Sequence, residues 1–431
     1  MSLLRSLNTA SAGLRSHTEA IGVTGDNIAN VNTVGFKRQR AHFQDLLGRS
    51  IASNDELPQA GAGSRLSAIE NMWAQGALLT TDSPTDLAIS GDGLFVVSGN
   101  VAGIDGNWYT RAGQFKVDAE GRLVNLEGLR VQGYTAAADG TLGTTVGDLT
   151  VDGFTIPANP TENALVAANL DANATVPAAF DITDPSNTSN FSSQITVYDS
   201  LGNPRQLTVF YRKTADNAWE WFAAADGADL AGGTPGTLTQ VGTGTLAFDT
   251  NGALNAETGG ALTLDFADGA AAGQAIALDF GESVTEGGDG LEGTTQFASP
   301  STTTALQQDG FGSGAIAGVA VEADGAIVGV FSNGQRRLVG QLAVAKFASN
   351  DGLDRAGQGL WAETEASGQP LLGAATTGGR GAVVSGTLEQ SNVDLGNEFV
   401  NLIAYQRGFQ ANSRIVTTTD EMYVELVNLK R

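Results

Sequence analysis

Along the last stretch of the chain, Leu388, Leu395, Leu402, Phe409, Val416 and Tyr423 recur every seven residues, with Phe399 and Val427 beside them on the same stripe. An apolar repeat of that period, held that long, predicts a narrow seam on a long α-helix. Ser391 or Asn392 can cap its start, with Asp394 in the first turn. No Gly or Pro stop signal follows, so about 37 residues of helix are expected, on the order of 55 Å long. Such a helix outruns a small domain and needs a partner. At the other end of the chain Leu7, Leu14, Ile21 and Ile28 also fall seven apart, with Leu3, Leu4, Ala10 and Val31 nearby. Two seams at opposite ends can bring the termini together, leaving everything between as an excursion from a two-helix base.

The pattern then changes along the chain. Residues 2–31 read as a helix weakened by Gly13, Gly22 and Gly25, each costing about 1 kcal/mol, so packing must stabilise it. Asn30, Asn32 and Gly35 form its exit. Residues 36–75 mix polarities without a sustained period and read as an extended linker. From 76 short alternating runs separated by turn signals (GDG, DAEG, LEG) predict strands and hairpins. Pro157, Asn159 and Pro160 suggest a boundary in this region, and 153–298 form an inserted β domain with a hairpin at YDSLGNPRQL. Residues 299–386 complete the domain begun at 76–152. The expected fold is mainly β with long α-helical termini. Its domains are nested: helix 1–35, linker 36–75, β 76–152, inserted β 153–298, β 299–386 and helix 387–431.

Charge sharpens this layout. The net charge is −24, and over 151–298 there are 19 Asp plus Glu against Arg205, Arg212 and Lys213, whereas 1–50 is net positive. An acidic insert argues against nucleic-acid binding and suits a solvated outer surface. The chain has no Cys and only His17 and His42, so neither disulfides nor thiolate- or histidine-rich metal sites are expected. No apolar run is long enough for membrane insertion. The periodic start lacks the continuous apolar region of a signal peptide.

Candidate chemistry is thin. Gly310, Gly312, Gly314 and Gly318 lead into a strand-like run rather than a helix, so they read as a structural loop and not a dinucleotide fingerprint. The acidic loop at 287–290 lacks calcium-loop spacing. Carboxylates are plentiful, but the insert is poor in aromatics to stack a sugar. No cofactor, metal or catalytic residue is assigned, and the chain is not read as an enzyme. A secreted β-rich glycan-binding protein remains the alternative from another class. Gln406, Gln410 and Asn412 flank the C-terminal seam, either as ordinary polar surface groups or as hydrogen-bonding groups between subunits.

The two ends carry long specific motifs: SLLRSLNTASAGL and DNIANVNTVGFK near the start, LEQSNVDLGNEFVNLIAYQRGFQANSR and TTTDEM near the end. Between them lie TDLAISGDGLFVV, YTRAGQFKVDAEGRLVNLEGLRVQGY and AVEADGAIVGVFSNGQ. Together these resemble the bacterial flagellar rod and hook axial proteins. The large insert, with VYDSLGNPRQLTVFY, places the chain nearer the hook branch than a distal-rod-like subunit. The resemblance implies a self-associating helical homopolymer forming a hollow, flexible tube that transmits torque. It also implies neighbours: a distal rod protein, a hook cap protein, a hook–filament junction protein and the flagellar type III export apparatus, with an extracellular location reached without a cleaved signal peptide. An assembly seam is then expected at Leu7, Leu14, Ile21, Ile28, Leu395, Phe399, Leu402, Phe409, Val416 and Tyr423. Phe43 and Leu47 resemble an export-recognition motif.

Overall fold

The chain opens with α1 (Ser2–Ala29). The exit follows from its Asn residues. The Asn30 side chain donates to the Asp26 carbonyl at 2.9 Å and its Oδ1 accepts from Thr33 Oγ1 at 3.1 Å. Gly35 then turns the chain at φ +69°, where a Cβ would lie 2.6 Å from the backbone of Arg111 and Ala112. Only glycine meets both demands. The computed structural model describes residues 2–47, 61–137, 140–151 and 155–428. They divide into one unit of Met1–Gly153, Ala317–Val330 and Arg336–Arg431, and a second of Phe154–Ile316 and Phe331–Gln335.

In the first unit, the described part of the stretch expected as an extended linker forms a strand pair. Strands β1 (Gln39–Leu47) and β2 (Gly61–Asn71) pair antiparallel from Gln39↔Asn71 to Leu47↔Gly61. Polar cross-strand partners hold them, Arg40 and His42 both reaching Glu70 at 3.0 and 2.6 Å. Both faces therefore carry polar residues, which hid the strand period. The β domain proper is a sheet ordered 326–331, 336–342, 130–136, 94–101, 104–110, 360–362, 354–357. Its core includes Leu87, Ile89, Phe95, Val131, Leu342 and Val344. Strand Thr387–Glu389 pairs with Leu78–Thr80, so Leu388, the first residue of the expected helical stripe, is a buried strand residue.

The C-terminal helix α2 spans Leu395–Asn428. It starts at Asp394, whose Oδ1 accepts from Gly396 N at 2.9 Å and Asn397 N at 3.2 Å. The cap is thus Asp394, not Ser391 or Asn392; a carboxylate there also suits the helix dipole. Asn392 is engaged elsewhere, as described below.

The second unit is a β-sandwich. One sheet is ordered 261–264, 274–279, 163–169, 302–308, and the other is a meander of 191–198, 204–215, 218–226, 238–248 and 254–257. Tyr211, Trp219, Trp221 and Phe280 lie in their shared core. The hairpin at 199–203 is set by Asp199, whose Oδ1 accepts from the amides of Leu201 and Asn203, with Gly202 at φ +86°. Strand Thr302–Gln308 pairs with Asn163–Asn169 and stays in this unit, so the return to the first unit comes later than 299. TTTALQQ alternates acceptably for either sheet; only pairing assigns it.

Candidate assembly interface

Where the chain ends meet the β domain of the first unit, three charges are buried together. Glu389 Oε1 accepts from Lys37 Nζ at 2.5 Å and from Gly76 N at 2.9 Å, while its Oε2 accepts from Arg111 Nη1 at 3.2 Å. Its backbone carbonyl accepts from Gly35 N at 2.7 Å. Lys37 also donates to Ala74 O, and Arg111 to Ile89 O and Gly91 O. The side chains of Lys37 and Glu389 are fully buried. Burial holds both Lys37 and Arg111 below their ordinary values, with Glu389 opposing the shift. Such a triad gains little net stability over apolar packing, yet losing one partner costs about 3–5 kcal/mol. Its effect is to tie the exit of α1, the sheet and the approach to α2 into one joint.

A second, polar node orients the helices. Asn27 donates to Gln39 O at 2.7 Å and Glu398 Oε2 at 3.2 Å, and its Oδ1 accepts from Gln39 N at 2.8 Å. Asn392 accepts from Arg38 N and donates to Met72 O and Ala74 O. The guanidinium of Arg355 lies 5.2 Å from the centre of the Phe36 ring and 3.3 Å from Asp26.

From this joint α1 and α2 run antiparallel, and small residues let them approach. A Cβ at Gly13 would fall 2.8 Å from the Asn412 amide, and one at Gly408 would fall 2.6 Å from the His17 ring. His17, Tyr405 and Phe43 form a ring cluster with centroids 5.9–6.2 Å apart. Among the described residues, those buried on α1 are Ala10, Gly13, Ser16, Ala20, Val23, Thr24 and Asn27, and those on α2 are Glu398 and Thr419.

The residues expected as a seam are placed differently from a private core. Leu7, Leu14, Ile21 and Ile28 are half-buried, as are Leu402, Val416 and Tyr423. Leu395, Phe399 and Phe409 are exposed at 41%, 50% and 38%. The residues that join the helices are instead small or polar, and heptad reading of apolar residues passes over those. Lys37, Arg111, Glu389, Asn27 and Glu398 were missed; a lone Glu within each apolar stretch was the available signal. Of the expected export motif, Phe43 packs on His17 and Tyr405, and the side chain of Leu47 lies outside the described residues.

A β-rich chain whose ends form such a base has clear relatives. Family models match four stretches: "Flagella basal body rod protein" over 7–37, "Flagellar hook protein FlgE/F/G D1 domain" over 88–192, "Flagellar basal body protein FlaE D2 domain" over 169–311, and "Flagellar basal body rod FlgEFG protein C-terminal" over 384–429. These define the class as flagellar axial proteins. The chain is 33% identical to the flagellar hook protein FlgE of Treponema pallidum, covering all of both chains. It is 34% identical to those of Borreliella burgdorferi and Salmonella typhimurium, over 99% of this chain and all of each relative. The fold is also similar to the crystal structure of Helicobacter pylori flagellar hook protein FlgE2, with TM-score 0.50 and 17% identity, covering 72% of this chain and all of that one. The chain belongs to the flagellar hook protein FlgE family: it is a structural subunit of the hook, not an enzyme.

Proposed function

We propose that copies of this subunit polymerise through their terminal helices into a hollow, flexible tube that carries torque from rod to filament. The observation that carries the reading is the exposure of the heptad residues: Leu395, Phe399 and Phe409 lie 38–50% open on a helix whose other side is already packed. Apolar surface of that extent calls for cover, and further copies of the chain supply it. The helices then line the tube, and the acidic insert keeps to solvent. The tube is bounded by a distal rod protein below and by a hook cap, later a hook–filament junction protein, above. Export proceeds through the flagellar type III apparatus to the cell exterior, without a cleaved signal peptide and with Phe43 and Leu47 read by the gate.

The test is Leu402→Asp and Phe409→Asp. A charge pressed into an apolar contact without a partner costs about several kcal/mol, so hooks should vanish under electron microscopy while the purified chain keeps its β circular dichroism. Normal hooks from either variant would refute the seam.

A further inference from the structure

We infer that the two-helix base assembles head to tail: an uncharged flank of α2 in one copy seats in an apolar trough on the opposite side of the helix pair in the next copy. This rests on the self-assembly proposed above and specifies which surfaces meet.

The geometry starts from the inner contacts. Gly13 against Asn412, His17 against Gly408 and the Asn27–Glu398 bond fix which face of each helix meets the other. At about 100° per residue, Leu7, Leu14 and Ile21 lie roughly a quarter turn to one side of the inner face of α1. Ser16 lies on the other side, bonded to Ser64 O of β2 at 2.9 Å. On α2, Leu395, Phe399 and Leu402 are rotated in the same sense as Leu7 and Leu14. In an antiparallel pair, positions rotated in the same sense from the facing surfaces share one side. These residues therefore line a single trough, on the side away from the Ser16 bond to β2. No charge lies along the α1 wall from Leu3 to Ile28, nor along the α2 wall from Leu395 to Thr417.

The other side of α2 is different. Ala404, Ala411, Ile415, Met422 and Leu426 are rotated in the opposite sense. Ile415, Met422 and Leu426 are 44%, 53% and 56% exposed, and both alanines are exposed. This flank is also free of charge; Arg407, Arg414, Glu421 and Glu425 fall on the outer back of the helix between the two flanks.

The two surfaces complement each other. The trough offers large branched and aromatic side chains, and the flank offers Ala404 and Ala411, which admit a close ridge-into-groove approach, beside the apolar Ile415, Met422 and Leu426. A two-fold dimer joining like surfaces would leave one of the two open on each copy. Joining unlike surfaces on opposite sides lets each copy hold two neighbours at once, and a heterologous contact that does not close yields an open helical filament. The occupant of the trough is thus the α2 flank of a second copy.

The experiment uses the full-length chain with Leu14→Glu (trough) and Ala411→Glu (flank), followed by sedimentation velocity and electron microscopy, with circular dichroism to check that the helices persist. Phe399→Glu replaces the trough variant if Leu14→Glu loses helix. Each variant alone is expected to form no filaments at tenfold the concentration at which the wild type assembles. An equimolar mixture is expected to stop at dimers, because the intact flank of one variant fits the intact trough of the other. Filaments from either variant alone, or a mixture of folded variants that stays monomeric, overturns the assignment while wild-type assembly leaves the proposed function standing. A wild-type chain that never assembles, in vitro or as hooks in cells, defeats both.

Discussion

The sandwich of the second unit and the helical base of the first use the same kinds of apolar residue to opposite ends. In the sandwich, Trp219, Trp221, Tyr211 and Phe280 are 1% exposed or less. On α2, Phe399, Val400, Ile403 and Val424 are 50–66% exposed. Folding completes the first region and leaves the second open. The difference teaches that the apolar side chains that make a core and those left open after folding lie on separate surfaces. The sandwich is held by its own core. The base is held by a joint of polar and charged groups and by small residues, which leaves its large apolar side chains open. Polar joints also limit collapse: the Lys37–Glu389–Arg111 triad and the Asn27–Glu398 bond favour one arrangement of the chain ends.

The sharpest way to break this contrast is Trp221→Ala. Its indole is fully buried and its Nε1 donates to Thr258 O at 3.1 Å. The loss should be about 3–5 kcal/mol, seen as early urea unfolding of the sandwich by intrinsic fluorescence. A loss below about 1 kcal/mol would mean that this core is not the source of the unit's stability.

A smaller effect comes from Glu257 in the same unit. Burial first, then the neighbouring charges of Asp279 and Glu286, push its carboxyl up from 4.5 to about 7. The folded state therefore holds this proton more tightly than the unfolded chain. That contribution is fully present below pH 4.5 and is lost as pH rises through about 7. Thermal stability of the sandwich should fall across this window, and Glu257→Gln should flatten the profile. An unchanged slope in the variant would remove Glu257 as its cause.

The smallest expected effect on folding is Phe399→Ala, within about 0.5 kcal/mol because the ring is half in solvent. Its effect should appear in the critical concentration for polymerisation, measured by light scattering, which should rise. A large drop in monomer stability with unchanged assembly would invert the comparison.

Much of this was legible in order of residues. The sevenfold stripes placed both helices, and alternation with the DSLGNP turn placed the hairpin of 191–198 and 204–215. The β1–β2 pair was not legible, because its strands mix polar residues onto both faces. Nor was the end of the insert, because TTTALQQ fits either sheet until Ala164↔Gln308 pairing decides. The charged joint could not be read either: its members stand 278 and 352 residues apart.

By itself the sequence determined that two long terminal helices form and that each carries an apolar stripe, because helical period is a local property that a few turns reveal. Only the tertiary structure decided which face of each helix turns inward. That choice depends on Gly13 meeting Asn412, Gly408 meeting His17, and Glu389 meeting both Lys37 and Arg111. These are steric and electrostatic matches between distant residues, and no local pattern encodes them. They turn small and polar groups inward and leave the apolar stripes half-open along the flanks of the pair.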